Sequence, residues 1–152
     1  MIKNITLTII VALFSITSFS QEIYEGNLQI NAGLNLMRTP DGRVPLEGIK
    51  DRINGDLEVN YFLQDKFALG AGFNYSTQLK RTDFSTGIRY YWIDESFFRS
   101  KLHLPTDFSE FDFSIGVGYN YMLGDDVGLE SNLDYYIKGE SATFRFGIAL
   151  FL

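Results

Sequence analysis

From about residue 26 to its last position the chain alternates apolar and polar residues, and it ends on ATFRFGIALFL (142–152) with no polar tail. A period of two places successive side chains on opposite faces of an extended strand, so the pattern predicts an all-β chain. Eight such segments are legible. They run over about 27–37, 52–63, 67–77, 84–92, 97–104, 111–122, 127–138 and 142–152. The sixth is the clearest: Phe111, Phe113, Ile115, Val117, Tyr119 and Tyr121 share one face, and Asp112, Ser114, Gly116, Gly118 and Asn120 share the other. The fifth is the weakest, with Phe98, Ser100, Leu102 and Leu104 opposite Arg99, Lys101 and His103. A terminal strand this apolar is an aggregation hazard unless its edge is paired.

The first twenty residues read differently. Lys3, the apolar run Ile5–Phe14 and the small residues Ser18 and Ser20 form a secretory signal, which puts the mature start at Gln21 and a single domain over 21–152. The apolar run is about half the ~20 residues that a spanning helix needs. The sequence has no cysteine, so the signal is not a lipoprotein's and no disulfide is expected. Removing the signal takes away Lys3 alone and leaves 12 Lys and Arg against 19 Asp and Glu, a net charge of −7. Nucleic-acid binding needs a basic footprint and is excluded as an expectation. No later run of ~18 apolar residues is present, so a membrane would have to be crossed by strands.

The connections alternate in character. YFLQDKF (61–67), YYWIDESF (90–97) and YMLGDDVG (121–128) are tight, acidic and similar, and they follow strands two, four and six. RTPDGRVPLEGIKD (38–51), QLKRTD, PTDFSE and KGES fill the other connections. An up-and-down barrel with both termini on the tight-turn side has this layout. The GxG in LGAGFNY (69–75) and in IGVGYNY (115–121) sits in mid-strand with no helix after it, so it is not a phosphate loop.

Two features put the apolar face outside. The polar face is rich in Gly, Asn and Ser, which fit the narrow interior of an eight-stranded barrel better than they fit a water-facing sheet. The apolar face carries Tyr61, Tyr90, Trp92 and Tyr121 beside the tight turns, as an aromatic girdle at a lipid–water boundary would. A soluble lipocalin-like barrel would have the faces reversed.

With the strands closed into a ring, strand eight pairs with strand one. On this pattern, over residues 26–152, the chain resembles the small eight-stranded outer-membrane β-barrels of the OmpA/OmpX type. The resemblance implies an antiparallel up-and-down transmembrane barrel in the outer membrane of a two-membrane bacterium, in contact with lipid and lipopolysaccharide. It also implies insertion by the barrel-assembly machinery, which in that family reads a C-terminal aromatic strand. Here Phe144, Phe146, Ile148 and Leu150 fit, but the last residue is Leu152. No peptidoglycan-binding domain is expected after the barrel.

On the polar face lie Arg52, Arg89, Arg99, Lys101, Lys138 and Arg145, with Asp56, Glu58, Asp112, Glu130 and Asp134. In a narrow lumen these charges must pair, which predicts an ion-pair network that plugs the barrel. The role expected is structural or accessory, with no enzyme activity, no cofactor and no metal. Three other readings compete. A narrow channel or small-solute conduit would carry a ring of one sign. A lipid-modifying enzyme would use His103, the only histidine, with Ser100 or Ser109 and Asp107 or Glu110, but no GxSxG elbow is present. The third is the soluble lipocalin-like barrel. A binding role would sit on the loops, where Lys80 and Arg81 could meet a phosphate, or on the outer wall against another membrane subunit.

Overall fold

The computed structural model describes residues 25–37, 53–76, 81–106 and 111–152. Residues 1–24, which include the expected mature start at Gln21, the connections 38–52, 77–80 and 107–110, and with them Arg52, Lys80, Asp107, Ser109 and Glu110, lie outside the described residues.

Eight strands follow one another: β1 (Leu28–Met37), β2 (Ile53–Gln64), β3 (Phe67–Ser76), β4 (Arg81–Ile93), β5 (Ser96–Pro105), β6 (Asp112–Met122), β7 (Val127–Tyr136) and β8 (Ser141–Phe151). Each pairs antiparallel with the next, and β8 pairs back onto β1 from Gln29↔Phe151 to Met37↔Thr143. The barrel is closed. Closure answers the problem of the apolar terminal strand: Leu28 and Leu152 exchange both backbone hydrogen bonds, at 2.8 and 3.0 Å, and no edge is left.

The expected strands match these within two residues, apart from the start of the fourth, and the seventh ends two residues early. β4 begins at Arg81, because Arg81–Asp83 extend the ladder against Asn74–Ser76. β7 stops at Tyr136, because the four residues after it form the turn into β8, with Glu140 in a left-handed conformation (φ 44°). Tight turns link β2 to β3 and β4 to β5, where Lys66 (φ 67°) and Asp94 (φ 42°) hold left-handed positions. Both turns are preceded by an irregularity in the ladder, at Phe62/Gln64 and at Tyr91/Ile93.

Alternation sorts the side chains by wall. Leu34, Leu69, Phe73, Ile88, Phe98, Ile115, Val117, Leu133, Phe146 and Ile148 stand exposed on the outside. Gln29, Asn31, Glu58, Asn60, Arg89, Glu130 and Arg145 are buried inside. A barrel dissolved in water would have the reverse arrangement. Burying apolar surface is worth about 25 cal/mol per Å², and here that surface faces outward.

Glycine makes the interior wide enough. A β-carbon on Gly33 would stand 2.9 Å from the Arg145 guanidinium, and one on Gly72 would stand 2.6 Å from the Leu57 carbonyl. At Gly116 and Gly118 it would run into Asp134 and into the Phe97 ring. The glycines of the two GxG strands leave room for side chains of the neighbouring strands, Asn60 beside Gly70, Asp134 beside Gly116 and Phe97 beside Gly118.

Candidate functional site

The lumen is the only place where the described charges converge. Long side chains reach in from β2, β4, β5, β7 and β8, while β1, β3 and β6 supply mostly glycine, asparagine and serine. Glu130 of β7 is fully buried. It accepts a hydrogen bond from Arg89 at 2.5 Å and another from Arg145 on the neighbouring β8. Asn132 donates to it as well, at 3.0 Å. Arg145 donates from Nε to both oxygens of Asp56, at 2.7 and 2.8 Å. Arg89 donates its other terminal nitrogen to Glu58 at 2.9 Å. Glu58 also accepts from Lys101 and lies 3.6 Å from Arg99. Arg99 in turn donates to Asp134, through Nε at 2.7 Å and through a terminal nitrogen. The network runs unbroken from Asp56 through Arg145, Glu130, Arg89, Glu58 and Arg99 to Asp134, with Lys101 attached to Glu58. It holds four cations and four anions, so each charge taken out of water has a partner of opposite sign.

Of the charges expected in the lumen, Arg52 lies outside the described residues, and two others are placed elsewhere. Asp112 stands at the start of β6 and accepts from the backbone N–H groups of Lys138 and Gly139 at 2.9 and 3.1 Å, which caps the β7–β8 turn. Lys138 is exposed in that turn, two residues past the end of β7. The expected girdle residues Tyr61, Tyr90 and Trp92 are each about half exposed on the outer wall, and Tyr121 is half-buried. Trp92 packs on Phe98 with ring centroids 4.9 Å apart.

The alternation reading missed the apolar floor. Phe62, Ala68, Tyr91 and Phe97 form one buried cluster at the tight-turn end, and Met122, Ala149 and Phe151 form a second. Tyr91 stacks between Phe62 and Phe97, with centroids 5.8 and 5.3 Å away. Its hydroxyl accepts from Asn120 at 2.6 Å and from Arg89 at 3.3 Å, and donates to Gln29 at 3.3 Å. The Arg89 guanidinium lies 4.1 Å above the centre of the Phe97 ring. The floor carries the same inward phase as the charges, so a search for polar residues passes over it. Its signal is the aromatic that stands in phase on both sides of a tight turn.

Toward the other end, Nε2 of His103 lies 2.8 Å from the Ser114 hydroxyl, and the imidazole stacks on Tyr136 at 4.7 Å. Ser114 is buried. The space open to the centre of a water molecule there is about 20 Å³, among Asn35, Asp56, Arg99, Lys101, His103 and Asp134. That volume suits ordered water and is too small for an organic substrate.

No family model matches this sequence, and no curated protein matches it. Solved structures do share its architecture. The N-terminal β-barrel domain of Pseudomonas aeruginosa OprF superposes with a TM-score of 0.65 at 12% identity, covering 84% of this chain and 98% of that one. A de novo designed transmembrane β-barrel gives a TM-score of 0.65 at 13% identity, over 87% of this chain and all of the design. The Yersinia pestis attachment invasion locus protein Ail gives 0.53 at 12% identity, over 84% and 99%. The chain therefore has the fold of the small eight-stranded transmembrane barrels of outer membranes.

Proposed function

We propose that this chain is an integral outer-membrane protein whose lumen is closed, with a structural or accessory role and no chemistry of its own. The observation that carries the reading is the pairing of an exposed apolar wall with a buried, charge-balanced interior in one closed ring. An outer wall of this kind is stable against acyl chains, and inside it each cation of the network is already paired with a carboxylate. The outer wall is then the contact surface for lipid, lipopolysaccharide and any neighbouring membrane subunit, and insertion falls to the barrel-assembly machinery. A conduit is disfavoured by the balanced charge and by the absence, among the described residues, of a ring of one sign. A lipid-modifying hydrolase is disfavoured because the serine that meets His103 is buried, and the cavity that His103 lines has room for water and not for a lipid.

The test is location and company. A chromosomally tagged copy, extracted from the outer membrane in mild detergent, is run by size exclusion and its co-eluting proteins are identified by mass spectrometry. Elution at monomer-plus-micelle size supports a stand-alone barrel. Defined neighbours make the outer wall an interface and give the chain an accessory role. Recovery in the soluble fraction contradicts the reading. Lipid A unchanged on deletion of the gene supports the non-enzymatic reading, and altered lipid A that is not restored by His103→Ala contradicts it.

A further inference from the structure

We infer that the barrier across this barrel is the aromatic floor at its tight-turn end, with the ion-pair network forming the bottom of a vestibule that water reaches from the opposite end. The inference rests on the closed-lumen reading above and assigns the closure to particular residues. Exposure along the inner wall is graded. At the loop end Asp56, Asn74, Ser85, Lys101, His103 and Tyr136 are half-buried, among the buried Asn35, Asn54, Ser114 and Thr143. At the tight-turn end Gln29, Asn60, Phe62, Ala68, Tyr91, Phe97, Asn120, Met122, Gly128, Ala149 and Phe151 are all buried.

The floor closes a full turn of the barrel at one level. Phe62, Ala68, Tyr91 and Phe97 come from β2 to β5, and Met122, Ala149 and Phe151 come from β6 and β8. The two remaining strands meet that level with Gln29, paired to Phe151, and with Gly128, paired to both Met122 and Ala149. Tyr91 joins the two halves, because its ring lies in the first cluster while its hydroxyl is bonded to Asn120 on β6 and to Gln29 on β1. Phe97 crosses toward β6, where Gly118 leaves room for its ring.

The two layers resist ions differently. A balanced network of carboxylates and guanidinium groups offers ligands to water and to small ions of either sign. A closed, mostly aromatic constriction, whose Tyr91 hydroxyl is already bonded to Asn120 and Gln29, offers few and stays dry, which blocks ions whatever their sign. The floor also anchors the network, since Arg89 rests on the Phe97 ring and bonds to the Tyr91 hydroxyl.

The chain has no cysteine, so single thiols can be placed at will. The first experiment compares Ser85→Cys, in the vestibule, with Ala149→Cys, in the floor, in folded protein in lipid vesicles treated with a small water-soluble thiol reagent. The expected result is labelling of Ser85→Cys at least about tenfold faster, as a dry constriction requires. Equal rates, or faster labelling at Ala149→Cys, would overturn the proposal. The second experiment is planar-bilayer conductance of Tyr91→Ala and Phe97→Ala against Lys101→Met, which loosens the loop-end side of the network. Open events in either floor variant and none in Lys101→Met are expected. Silent floor variants, or a conducting Lys101→Met, would overturn the assignment. Conductance by the unaltered protein would contradict the closed-lumen reading instead, so the two failures are distinct. If the floor variants do not fold, the labelling comparison decides alone, because neither thiol position removes an aromatic.

Discussion

The inner and outer walls of this barrel are two faces of the same eight strands, and they obey opposite rules. Outside, Leu34, Ile115, Leu133 and Phe146 make an exposed surface that wants hydrocarbon. Inside, Glu58, Arg89, Glu130 and Arg145 are almost wholly buried and are held by one another. The contrast shows that the interior is not a hydrophobic core turned outward. Its cohesion is electrostatic and geometric, and it depends on partners being present and on glycines leaving room for them. The outer wall depends on neither, since its side chains are apolar and need no partner of opposite charge.

The sharpest way to break that contrast is Glu130→Ala. Glu130 serves Arg89 and Arg145 together, so its loss leaves the four buried cations with three carboxylates and should cost about 3–5 kcal/mol. Urea unfolding in lipid vesicles measures it, and a cost below about 1 kcal/mol would show that the interior is wet enough to screen the charges. On the outer wall the matching test is Ile115→Arg, half exposed in the middle of β6. At the bilayer midplane the new charge should cost about 2–4 kcal/mol. On a surface facing water the same change would be within about 0.5 kcal/mol. The glycines give a third comparison. Gly118→Ala puts a methyl group against the Phe97 ring and the Asn132 side chain, and should destabilise by about 1–3 kcal/mol. Gly55→Ala is the control. A methyl group there meets nothing within 4 Å, so it should stabilise by up to about 0.5–1 kcal/mol.

Much of this architecture can be read from the residues. Phe111 to Tyr121 and Phe144 to Ile148 alternate so regularly that strand and face follow from period, while the inside-out arrangement follows from the Gly, Asn and Ser of the polar face and from the aromatics beside the tight turns. The tight turns betray themselves by their acids, and the GxG pairs by their lack of bulk. The parts that escape do so for identifiable reasons. Lys138 continues the alternation of β7 in sequence, but Asp112 captures the backbone N–H groups beyond Tyr136 and folds them into a turn. Which cation meets which anion depends on neighbours from distant strands, such as Asp56 and Arg145, and periodicity carries no such information. The floor is hidden because Phe62, Tyr91 and Phe97 share their phase with charges while carrying none.

Neither the design nor the natural barrels that share this fold lend the chain a role, since sites and not folds carry function. The central claim is that the outer wall meets lipid, and the single tryptophan tests it most directly. Trp92 stands half exposed on that wall, beside a tight turn. Its fluorescence is measured in vesicles made with lipids brominated at successive depths of the acyl chain, and again with iodide in the water. The account predicts strong quenching by bromines near the glycerol level, weaker quenching by bromines at the bilayer centre and little by iodide. Quenching by iodide alone, with no response to brominated lipid at any depth, would contradict it.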